Sequence, residues 1–467
     1  MYEWMSGAIF GISFLVCLRV FQLSRMTEVL VTKAADSLRV IGSKKFTDLE
    51  KEQILQRNTF PILWRSLLLV FIVLTGLVLS GMASYLFWKV CFEKDGISFQ
   101  KENFVSWPFI FGSILGSLII GLSFNRLKTP KSAYSLWQRM LHKMAFASIG
   151  MQVKLLSKRQ GNGRHIGAAE SSRAVFITGL PRAGTTILLK TLYQTGHFTS
   201  LTYKDMPFVL FPKQWRRLSK WFSVNTKSKP RPHGDGILVS VNSPEALDEV
   251  VWQASREEVK EENRNAFLRA YVGEVLTLKK GSSIYLSKNN ALLNRIDEVN
   301  STFKEGIILC LYRHPLEQAI SLWKQHLHFL KLQAQDSFAL EYMNDIGQNY
   351  FGKGIELKRF GSWPDTRKYE SPLELNFWIE YWFAAYKHVL SANRSQVHFI
   401  NYERMCQLPT RSLRQVAILC GFEFTQGMEA GIEQKDSRKT EAGNLDQDIL
   451  AKAMNLFNEL QSLEITQ

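Results

Sequence analysis

The segment 174–193 constrains this chain more than any other. Residues 174–178 form a short apolar, β-branched run. Gly179-Leu180-Pro181-Arg182-Ala183-Gly184-Thr185-Thr186 follows as a turn with glycine near both ends, and 186–193 carries apolar residues at helical spacing. The reading is strand, loop, helix. The loop has the spacing G-x-x-x-x-G-K-[ST], with Thr185 standing where the lysine would be. Its glycines let backbone N–H groups turn inward, and the helix presents its positive dipole end, so an anion is expected there.

The missing lysine narrows the chemistry. A nucleotide kinase or ATPase places a lysine on the transferring phosphate and a magnesium-holding Asp at the end of a neighbouring strand. Here the strand 307–311 runs into Tyr312-Arg313, with no Asp. That suits a transferred group of lower charge, such as sulfuryl, which needs cationic donors and no metal. Arg182 supplies a guanidinium inside the loop, where negative charge builds up on a bridging oxygen. Arg313-His314-Pro315 follows that strand, and Ser321 lies eight residues after Arg313, about two helical turns along if a helix begins near Pro315.

Taken together, the loop Pro181 to Thr186 and the later Tyr312-Arg313-His314-Pro315 with Ser321 resemble the two signature segments of the sulfotransferase family. The arginine at 182 is similar to the carbohydrate, tyrosylprotein and bacterial branches rather than the soluble aryl branch. The resemblance implies an α/β fold, a P-loop-like parallel sheet flanked by helices. It implies a donor, 3'-phosphoadenosine 5'-phosphosulfate, and no metal. Arg182, Ala183, Gly184, Thr185 and Thr186 would bind the 5'-phosphosulfate, and Arg313 and Ser321 the 3'-phosphate. The stretch 285–290 resembles the family's lysine-containing segment, and 401–405 its late tyrosine-glutamate motif, read as mainly structural. Lys435, Arg438 and Lys439 could reach the 3'-phosphate but read better as a solvated charge run. The rivals are an ATP-dependent phosphotransferase and a non-catalytic nucleotide-binding membrane protein.

Transfer to a hydroxyl or amine needs a proton acceptor beside it. Asp205 comes first, by its interval after the loop helix, and His233, in the Gly/Pro-rich turn with Asp235, second. Glu245 and Glu249 read as first-turn acids behind a capping Ser243. His326 and His328, two apart on a helix, point to different faces and make no shared metal site. Trp252, Trp378 and Trp382 read as core.

The N-terminal third has a different character. Runs 67–87 and 107–124 carry no charge and are long enough to span a bilayer, with aromatic edges at Tyr85, Trp88 and Trp107. A shorter run, 7–20, is a third candidate span. Gly112 and Gly116 would let a helix approach closely, with Gly76 and Gly81 as the expected partners. Lysine and arginine crowd both flanks of the pair 67–87 and 107–124, which predicts cytoplasmic flanks and a cytoplasmic catalytic domain on an integral membrane protein, in the inner membrane if the source is bacterial. The net charge of +16 is met by these flanks and an anionic donor, so nucleic acid is not the expected partner; a bilayer and a glycan, lipid or other hydroxyl acceptor are. Five scattered cysteines form no disulfide framework. The expected organisation is an α-helical transmembrane anchor over 1–130, a basic connector over 131–171 and a catalytic domain over 172–467.

Overall fold

The computed structural model describes residues 2–20, 23–42, 47–92, 106, 108–110, 112–114, 136–160, 173–219, 229–230, 238–245, 247–279, 281, 284–432 and 445–465. They form two compact units, Met1–Ser148 and Ile149–Gln467, with the boundary inside the expected connector.

In the first unit the run 67–87 lies within one helix, Asp48–Phe92. Its part Asp48–Lys89 is the one helix among the described residues long and apolar enough to cross a membrane, with a mean hydropathy of 2.4 over its most apolar 18 residues. Leu67, Val70, Phe71, Leu74, Val78, Met82 and Leu86 are exposed, so the helix turns an apolar face outward. The run 7–20 is part of the helix Tyr2–Val20. Most of 107–124 lies outside the described residues.

The glycines meet partners other than those expected. A Cβ at Gly76 would stand 3.4 Å from the Phe14 ring, and one at Gly112 would stand 2.3 Å from the Trp4 carbonyl oxygen. Both therefore receive the helix Tyr2–Val20, rather than each other. Ser6 and Ser84 join the two long helices through their hydroxyls, 2.6 Å apart. Small side chains at these points let helices approach closely where apolar burial alone gives little direction.

The second unit is built on a five-stranded sheet in the order β2-β5-β1-β6-β7: β1 Arg173–Thr178, β2 Phe198–Thr199, β5 Ile284–Lys288, β6 Ile307–Tyr312 and β7 Val397–Asn401. Every pairing in it is parallel. A separate antiparallel ribbon joins β3 Lys229–Pro230 to β4 Leu238–Val239. Strands buried on both faces read as unbroken apolar runs, which is why 174–178 and 307–312 were recognisable without alternation.

Val175, Ile177, Leu286, Leu309 and Leu311 pack under Leu188, Leu189 and Leu192 of the helix Thr185–Gln194 and Val416 of the helix Pro409–Cys420. On the opposite face Tyr312 meets the rings of Tyr386, Phe399 and Phe457, so the helices Leu375–Ser391 and Gln447–Ser462 cover it. Trp252, Trp378 and Trp382 are core residues. Such a layered arrangement leaves the loops at the carboxyl ends of the strands as the place for a ligand.

Candidate functional site

β1 is the central strand, and its carboxyl end delivers the chain into the loop 179–184 and then the helix Thr185–Gln194. Two glycines are required. Gly179 has φ +141° and a Cβ there would meet the Leu311 carbonyl oxygen at 2.3 Å; Gly184 has φ +87° and a Cβ would meet the Tyr402 ring at 2.3 Å. Arg182, at φ +73°, is the one non-glycine residue with positive φ among those described. A left-handed arginine costs roughly 1–3 kcal/mol and persists only where its surroundings impose the conformation. They do so here.

Arg182 Nε donates to Ser321 Oγ at 3.0 Å. Gln318 Nε2 donates to the carbonyls of Leu180 and Pro181 at 3.2 and 3.0 Å, and its own Oε1 accepts from Trp382 Nε1 at 2.9 Å. Tyr386 OH donates to Leu311 O at 2.8 Å and accepts from the Leu180 N–H at 3.3 Å. Gln318 and Ser321 stand three apart on the helix Pro315–Gln335 and so share the face turned to the loop. That spacing was visible in the sequence; the clamp of Trp382 and Tyr386 was not, because it comes from a helix some 60 residues further on.

The helix Thr185–Gln194 has no side chain capping its first turn. Its leading N–H groups, together with the glycine cradle and Arg182, form a site fitted to an anion. Thr185 and Thr186 open that helix and are buried.

The second signature segment arrives beside the first. Ser321 contacts Arg182, not Arg313. Arg313 instead donates from Nε to Glu403 Oε1 at 3.3 Å and from a terminal nitrogen to Glu317 Oε2 at 2.6 Å, with its guanidinium 5.1 Å from the centre of the Tyr402 ring. Tyr402 thus forms a wall shared by Gly184 and Arg313, and burial pushes its hydroxyl up to about 12. The late motif 401–405 is structural in this sense: it joins the two halves of the site.

Asp205, the first candidate for the proton acceptor, is held in an ion pair. It is fully buried, and its two oxygens accept from Arg216 at 2.6 and 2.8 Å and from the backbone and hydroxyl of Thr202 at 2.8 and 3.0 Å. Four donors from two residues thus surround this carboxylate, and hydrogen bonds of that kind favour its charged form. His233 and Asp235 lie outside the described residues, as do Lys435, Arg438 and Lys439.

Ser243 caps no helix, contrary to expectation: the helix starts at Glu249 behind Asp248. Glu249 forms a two-pronged pair with Arg295 at 2.9 and 2.8 Å and accepts from Asn289 at 2.8 Å. Glu245 accepts from Tyr203 OH at 2.6 Å and faces Lys288, the last residue of β5, at 3.5 Å. Asp248 accepts from Ser287, and burial pushes its carboxyl up to about 6. His326 is buried with Nδ1 accepting from the Gly352 N–H at 3.1 Å.

These features define a parallel α/β protein with an anion cradle after its central strand and an arginine-bearing second segment packed against it. Residues 174–351 match the model of the Sulfotransferase family. No curated protein matches the chain. Among solved structures the chain is similar to a sulfotransferase of Mycobacterium avium, at 13% identity and TM-score 0.42, covering 74% of this chain and 89% of that one. A sulfotransferase of Mycobacterium tuberculosis is similar at 12% identity and TM-score 0.39, over 70% and 88%. One from Alicyclobacillus acidocaldarius is similar at 14% identity and TM-score 0.29, over 62% and 92%.

Proposed function

We propose that this protein transfers a sulfuryl group from 3'-phosphoadenosine 5'-phosphosulfate to a hydroxyl or amine of a membrane-proximal acceptor, such as a glycan or glycolipid. The observation that carries the reading is the 3.0 Å bond from Arg182 to Ser321, which joins the two segments that the family uses for its donor. When bound, the donor supplies the activated sulfuryl group. The chain's own part is to bind and orient: the uncapped helix start and Arg182 face the 5' end, and Arg313 serves the 3'-phosphate. Arg182 is pre-set by its backbone conformation and by Ser321, so little reorganisation is needed as charge develops. His233 retains the proton-acceptor role in this reading, with Asp205 released from it.

The apolar helix Asp48–Lys89 supports attachment to a bilayer. The basic residues flanking the runs 67–87 and 107–124 support a cytoplasmic catalytic unit. Calorimetry on the full-length protein in detergent, with 3',5'-adenosine bisphosphate against ATP and magnesium, tests the donor assignment. Metal-independent preference for the bisphosphate is expected; preference for ATP would refute it. Incorporation of labelled sulfate into extracted membrane lipids and glycans tests the acceptor class, and labelling of soluble acceptors alone would refute that part.

A further inference from the structure

Arg313 is held by two carboxylates that are built differently. Glu403 stands in the first turn of the helix Tyr402–Gln407, and besides the Nε of Arg313 its oxygens accept from the backbone N–H of His314 at 3.2 and 3.4 Å. Burial, above all, raises its carboxyl. Glu317 stands in the first turn of the helix Pro315–Gln335, where the positive dipole end favours it, and its side chain is 36% exposed. Among the described residues its side chain pairs with the terminal nitrogen of Arg313. One carboxylate is anchored from backbone and side chain; the other can turn into water by rotating its own side chain.

We propose that Glu317 is an internal stand-in for the donor's 3'-phosphate, occupying the outer edge of the Arg313 guanidinium until a phosphate displaces it, while Glu403 fixes the plane of the guanidinium throughout. This inference rests on the sulfotransferase reading above. A phosphate offers more charge and more acceptor oxygens than a carboxylate, so it can win the exchange, and the two anions cannot share one guanidinium edge without repulsion. A nucleotide lacking the 3'-phosphate gains nothing at Arg313. Glu317 is then a specificity device: it sets a cost that only the correct ligand offsets.

The two carboxylates predict opposite signs, which is what makes the assignment testable. Titrating 3',5'-adenosine bisphosphate and adenosine 5'-monophosphate into the full-length wild type, Glu317→Gln, Glu317→Ala and Glu403→Gln by calorimetry separates them. Both Glu317 variants should bind the bisphosphate about threefold to tenfold more tightly, the scale of an exposed helix ion pair together with a removed like charge. Their affinity for the monophosphate should stay as in the wild type. Glu403→Gln should bind the bisphosphate more weakly, since the guanidinium loses its fixed plane. Unchanged or weakened bisphosphate binding in the Glu317 variants, or equal tightening of both nucleotides, overturns the proposal. A wild type that does not favour the bisphosphate over the monophosphate overturns the sulfotransferase reading itself, and this inference with it.

Discussion

Gly184→Ala should damage both the fold and the ligand site, by an amount the structure allows to be divided into two parts. The first is conformational: at φ +87° an alanine pays roughly 1–2 kcal/mol for the left-handed region. The second is steric, because the new Cβ would fall 2.3 Å from the Tyr402 ring, and overpacking of a filled site costs about 1–3 kcal/mol. The total is about 2–5 kcal/mol. Gly196 provides the control. It has nearly the same conformation, φ +86°, with nothing within 4 Å of the added carbon, so Gly196→Ala should lose only the first part. Urea denaturation of the full-length protein in detergent, followed by tryptophan fluorescence, compares the two variants. Gly184→Ala combined with Tyr402→Leu should lose less than the sum of the single changes, since the second change removes the obstacle. Because Tyr402 also lies under Arg313, Gly184→Ala should weaken binding of 3',5'-adenosine bisphosphate, and Gly196→Ala should not. Equal stability losses at the two glycines, or strict additivity with Tyr402→Leu, would refute the steric reasoning.

The ion pair of Asp205 with Arg216 predicts that Asp205→Asn costs about 3 kcal/mol, the lower end for breaking a buried ion pair because Arg216 is partly exposed, yet keeps bisphosphate affinity. His233→Ala should do the reverse of a structural change, lowering sulfate transfer by a factor of about 100 or more at unchanged stability; transfer that survives His233→Ala removes that residue from the mechanism. Asp248 gives a pH prediction. Its folded-state value of about 6 lies above the unfolded value of about 3.9, so the folded form binds more protons between roughly pH 4 and 6. Its contribution is therefore favourable below that window and falls by about 3 kcal/mol as pH rises through it. The stability difference between Asp248→Asn and wild type should grow in favour of the variant from pH 4 to pH 7, and a flat difference would show that Asp248 does not titrate there.

What the sequence determined follows from periodicity and local spacing. The strand, glycine loop and helix at 173–194 are legible because each depends on residues close in the chain: buried parallel strands need an unbroken apolar run, and the turn needs glycine where φ is positive. The same holds for Arg313 at the end of β6, and for the apolar length of Asp48–Lys89. Tertiary structure decided the partners. Nothing local says that Ser321 meets Arg182 rather than Arg313, or that Glu403, 90 residues further on, takes the Nε of Arg313. The donors on Asp205 were likewise set by the fold. Its interval after the loop suggested catalysis, while the structure buries it against Arg216 and Thr202, and a carboxylate's properties are set by which donors surround it in space.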